Sequence, residues 1–86
     1  MDDELEYTYE NVPFFGGVVT ITFFKDSGNI SVRCSRPDPD YIALMQGLRG
    51  SHDGWYYPDP KHRSWVFKAS VASEVVRIVK EWCSRK

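Results

Sequence analysis

Apolar and polar residues alternate along the first third of this chain and then recur at helical spacing in two later stretches. Leu5, Tyr7 and Tyr9 alternate with Glu6, Thr8 and Glu10, the period of a half-buried strand. Its acidic residues mark it as an N-terminal edge strand, where charge discourages edge-to-edge association. Asn11-Val12-Pro13 and the pair Gly16-Gly17 punctuate the chain next. Residues 18–24 (VVTITFF) are rich in β-branched and aromatic residues and predict a strong strand. Val19, Ile21 and Phe23 share one face, and Val18, Thr20, Thr22 and Phe24 share the other. Lys25-Asp26-Ser27-Gly28-Asn29 is a turn in which Gly28 or Asn29 takes positive φ. The chain then returns with Ile30, Val32 and Cys34 inward, closing an antiparallel hairpin.

Helical period follows. Asp38 suits an N-cap, Pro39 the first helical position, and Asp40 the positive end of the helix dipole. Tyr41, Leu44, Met45 and Leu48 fall on one face, which predicts a helix over residues 39–49 with Gly50 as its stop. Residues 54–68 (GWYYPDPKHRSWVFK) read as a second hairpin, two runs of strand formers around a Pro/Asp-rich, basic connection. Within it the larger apolar pair, Trp65 and Phe67, is expected in the core. Trp55 and Tyr57 then share one face and Tyr56 takes the other, so at least one ring stays exposed. Ser70 is expected to cap a second helix whose Val71, Val75, Ile78, Val79 and Trp82 form its apolar stripe. The order is ββαββα with an additional N-terminal edge strand. It predicts a single small α+β domain, an antiparallel sheet with two helices packed on one face.

Size agrees with one core: the chain has 86 residues, too few for two. Aromatic content of 15% is high, and in so small a domain most rings are needed as core filling. Net charge is −1, which does not by itself suggest a strongly basic nucleic-acid binder. Its distribution matters more. Asp2, Asp3, Glu4, Glu6 and Glu10 make residues 1–10 an acidic leader or edge strand without Lys or Arg. Residues 11–86 carry the remaining seven acids against all eleven Lys and Arg, a net of +4. Cys34 and Cys83 have no metal-site spacing and are too few for a disulfide framework, so both are expected reduced and mostly buried. No secretory leader or membrane-length apolar run is present, which points to the cytoplasm, or the nucleus in a eukaryote.

Little in the sequence suggests catalysis. His52 and His62 lie in loops without ligand spacing to Asp53 or Asp59, so neither a metal nor another cofactor is expected. Ser35, Ser51, Ser64 and Cys34 lack the setting of an activated nucleophile. Gly16-Gly17 precedes a strand rather than a helix and is no phosphate loop. The basic aromatic hairpin carries the remaining chemistry. Rings stack on splayed bases and cations neutralise phosphate.

One resemblance bears on this. Asp40-Tyr41-Ile42-Ala43-Leu44-Met45, a short Gly-containing link, Tyr56-Tyr57-Pro58, Lys61 and Ser64-Trp65-Val66-Phe67 together resemble the HARP domain that accompanies annealing helicases. The likeness covers about residues 30–82. Here Pro58-Asp59-Pro60 stands where the family has Asp-Pro, and His52-Asp53 lengthens the link. The resemblance implies binding to branched or forked DNA.

The expectation is therefore a non-enzymatic module that binds DNA (or RNA) and takes no small-molecule substrate. Lys61, Arg63 and Lys68 would contact phosphate, with His62 beside them and Arg33, Arg36 and Arg49 extending the surface. Tyr56 and Trp55 would stack on a base or wedge at a duplex end. The alternative is a protein-interaction module, such as a small phage or mobile-element inhibitor or DNA mimic. It would act through the acidic N-terminus and exposed aromatics.

Overall fold

The computed structural model describes residues 7–57 and 64–85, and of Tyr57 the backbone alone. The strands are β1 (Tyr7–Phe14), β2 (Gly17–Phe24), β3 (Ile30–Cys34), β4 (Gly54–Tyr57) and β5 (Ser64–Phe67). Helix α1 (Pro39–Ser51) joins β3 to β4, and α2 (Ala69–Ser84) follows β5. The strands form one antiparallel sheet in the order β1-β2-β3-β5-β4. Both helices cover the same face, so the expected α+β class holds.

The register explains which residues meet the helices. One row across the sheet runs Thr8, Phe23, Ile30, Phe67 and Gly54, and the next runs Glu10, Ile21, Val32, Trp65 and Tyr56. From these rows and from Val19 and Cys34 comes the sheet's half of the core. Tyr41, Met45 and Leu48 of α1 and Val75, Val79 and Cys83 of α2 supply the other half. Trp65 and Phe67 do point inward, Phe67 completely buried and Trp65 half-buried against the cluster. A series of rings closes one end: Phe14 tilted on Trp82 at 5.3 Å, and Trp82 edge-to-face on Tyr41 at 6.1 Å.

Four local expectations need correction. Asn11-Val12-Pro13 does not break the chain but lies within β1, which turns instead at Phe15 and Gly16, the latter at φ 96°. An edge strand tolerates Pro13 because one side of its backbone has no strand partner. The longer strand also sets its own faces. Val12 and Phe14 pack against the core, and the two-residue period then puts Glu10 on the helix side and Tyr7 and Tyr9 on the other. Glu10 reaches Lys80 of α2 at 2.9 Å.

At the end of α1, Gly50 is not the stop. The helix continues to Ser51, His52 N–H donates to the Leu48 carbonyl at 2.7 Å, and Asp53 takes the left-handed φ of 54°. Asp38 is the N-cap as expected, accepting from Tyr41 N–H at 2.8 Å. Ser70 is not the cap of α2, which starts one residue earlier at Ala69, and Lys68 in the cap position makes no side-chain bond. The Asn29 side chain, forty residues upstream, accepts from Ala69 N–H at 3.1 Å instead. Gly28, at φ 77°, packs so closely on Ala69 that a Cβ there would lie 2.9 Å from the alanine methyl. The β2–β3 turn therefore caps α2 from outside the helix.

Candidate nucleic-acid interface

Helix α1 runs out, β4 begins and α2 starts at one end of the sheet, and a hollow of about 480 Å³ lies there. Gln46, Arg49, Gly50, Asp53, Gly54, Trp55 and Lys68 line it. Its shape follows from local chemistry. Residues 46, 49 and 50 recur at i, i+3 and i+4 and so share one side of α1. Asp53, in its left-handed conformation, turns the chain from helix to strand within two residues. Ser51 Oγ donates to the Gly47 carbonyl at 2.9 Å and lies 2.7 Å from His52 Nδ1, which fastens the last turn. Gly54 opens β4 because the Phe67 ring lies over it, within 3 Å of where a Cβ would stand.

Three of the residues singled out from the sequence meet here: Trp55, Arg49 and Lys68. Trp55 keeps 41% of its surface exposed, and both cations are exposed. Asp53 is the one carboxylate in the lining, so the hollow is cationic by one charge. An indole flanked by a guanidinium and an ammonium, open to solvent on one side, suits a flat ring that carries an anionic group.

The other candidates lie elsewhere. Tyr56 points to the helix side, 40% exposed, its ring 4.8 Å from that of Trp65. It and Trp55 therefore occupy opposite faces and cannot form one stacking surface. Arg33 projects from β3 on the face without helices, and Arg36 is exposed in the link that follows β3. Lys61, His62 and Arg63 lie outside the described residues, as do Asp2, Asp3, Glu4 and Glu6 of the acidic leader.

Gln46, Gly50, Asp53 and Gly54 were not anticipated. For Gln46 and Gly50 the signal was present in their helical spacing from Arg49. Gly54 was placed as the start of the hairpin but not as part of a site, and Asp53 was left in a link because the sequence pattern stops α1 too early, at Gly50.

Elsewhere, burial raises the Cys34 and Cys83 thiols and the Tyr41 phenol above their ordinary pKa values, which keeps all three neutral. No group of three or more His, Cys, Asp or Glu side chains converges among the described residues. No helix among them is long and apolar enough to cross a membrane. The chain matches no protein-family model, no curated protein and no solved structure.

Proposed function

We propose that this domain is a non-enzymatic nucleic-acid-binding module. The observation that carries the proposal is the convergence of Trp55, Arg49 and Lys68 on one open hollow. The two cations hold phosphate while the indole stacks on a base or sugar face. Lys61 and Arg63 add two positive charges, and His62 a further polar ring, to the same segment of sequence. The resemblance to the HARP domain narrows the target to DNA with a branch or fork.

The test is fluorescence anisotropy with labelled forked, duplex and single-stranded DNA, at low and near-physiological salt. Expected is binding that weakens steeply with salt, favours DNA with an unpaired segment, and drops at least tenfold in Arg49→Glu/Lys68→Glu. Absence of binding to every probe at low salt overturns the proposal.

A second reading, a protein-interaction module, draws on Phe15. This ring is 88% exposed at the tip of the β1–β2 hairpin. Together with the acidic residues 2–10 it suits a partner with a basic, apolar groove. Deletion of residues 1–6, which spares β1, separates the two. Higher DNA affinity after deletion supports the first, and loss of a protein partner supports the second.

A further inference from the structure

The face of the sheet turned away from both helices has an unusual composition. One row crosses all five strands: Tyr9, Thr22, Ser31, Val66 and Trp55. Arg33, on the adjacent row, is the one charged side chain on this face among the described residues. An open sheet face in a two-layer domain is ordinarily studded with charge, because only solvent meets it. Here small side chains sit low between exposed rings, Ser31 buried at the centre and Thr22 and Val66 half-buried, with Tyr9 at 63% exposure on one margin and Trp55 on the other.

Resting on the reading above, we infer that this face binds a single strand of nucleic acid, which continues out of the hollow and across the sheet toward Tyr9. Trp55 belongs to both surfaces, so the path is continuous. Duplex presents phosphates on both strands and demands many cations, which this face lacks. An unpaired strand can turn its bases to the sheet, where rings accept stacking and the Thr22 hydroxyl offers a hydrogen bond. Its phosphates then need few partners, and Arg49, Lys68 and Arg33 are placed at one margin and within the face. Four strand spacings separate Tyr9 from Trp55, roughly 19 Å between backbones. That span accommodates a few extended nucleotides, within the range seen for sheet-based single-strand binders.

The test is anisotropy with labelled oligothymidylates, one about three nucleotides long and one about twelve, using the full chain. Expected is tighter binding of the long oligonucleotide, reduced about fivefold or more by Tyr9→Ala, with the short one unaffected by that change. The three described cations together predict a log–log salt slope of about −2 for the long strand. Equal loss for the short and the long oligonucleotide in Tyr9→Ala, or no loss for either, overturns the inference. If Arg49→Glu/Lys68→Glu still abolishes binding in that event, the hollow stands and only the sheet face fails. No binding by the unaltered protein removes both. Sedimentation velocity supplies the remaining check: a concentration-dependent dimer that Tyr9→Lys dissociates would assign the face to a second copy of the chain and overturn the inference.

Discussion

Val66 and Phe67 are neighbours on β5 and point to opposite sides of the sheet. Phe67 is completely buried under the helices beside Ile30, with Gly54 left bare to admit its ring. Val66 lies half-exposed in the middle of the open face, between Ser31 and Trp55. A milder form of the contrast runs along β2, where Val19 and Ile21 are buried and Val18, Thr20 and Thr22 half-buried, and its physical origin is the two-residue period: one face can be optimised for packing without constraining the other. The helix-covered side therefore determines stability. The open side is free to be shaped by what it touches.

The contrast is tested most severely by paired truncations on β5. Phe67→Ala removes a fully buried ring and should cost about 3–5 kcal/mol, enough to unfold much of a domain this small. Val66→Ala, one residue away, should cost about 1 kcal/mol or less. Urea denaturation of the two variants measures both. Equal losses would mean that the open face is itself a packed layer. Next in size is Gly54→Ala, whose methyl group would stand within 3 Å of the Phe67 ring. The ring or the strand must shift, at about 1–3 kcal/mol. If Gly54→Ala were neutral by the same measurement, the ring would not need that space.

How much of this division is legible in the sequence depends on the element. Alternation in residues 18–24 and 30–34 assigned inner and outer faces correctly, because the pairing register follows the strand period there. Asp38-Pro39-Asp40 placed the start of α1, because capping chemistry is local and needs no knowledge of the rest of the chain. β1 was misjudged where local and tertiary signals conflict. Asn11 and Pro13 are turn residues by preference, yet pairing with Thr20 and Val18 holds them in the strand. Asn11 Oδ1 even accepts from Thr20 Oγ1 at 2.8 Å. That extension determines which way Tyr7 and Tyr9 face. The hollow was partly legible: Arg49, Trp55 and Lys68 were named, but their convergence depends on how α1, β4 and α2 meet in space.

The cap of α2 was illegible for the same reason, and it gives the next prediction. No side chain near the start of α2 caps it, and Asn29 does so from the β2–β3 turn. Asn29→Ala should therefore cost about 1 kcal/mol, as should Asp38→Ala at the start of α1. Ser70→Ala should cost less than either. Thermal melts of the three variants rank them. A loss in Ser70→Ala matching that of Asn29→Ala would restore the local cap and remove the link between turn and helix.

The smallest effect concerns a flaw on the covered side. Tyr41 is almost completely buried, and its hydroxyl has no hydrogen-bond partner among the described residues. A buried hydroxyl without a partner loses its hydration and gains nothing in return. Tyr41→Phe should therefore be neutral or raise stability by up to about 1 kcal/mol, the reverse of a normal core substitution. The same residue leaves a trace at high pH. Burial raises the Tyr41 phenol above its ordinary 10.0 and the Cys34 and Cys83 thiols above 9.0. Well below pH 9 both folded and unfolded chains keep these protons, so the three groups give no pH dependence there. Above it the unfolded chain releases them first while the folded chain holds on, and stability falls as pH rises. Urea midpoints measured from about pH 8 to 11 should decline, and Tyr41→Phe should flatten the part of that decline above pH 10. A Tyr41→Phe variant that loses stability near neutral pH would mean that the hydroxyl has a partner after all, and that the covered face carries a buried polar contact as well as apolar packing.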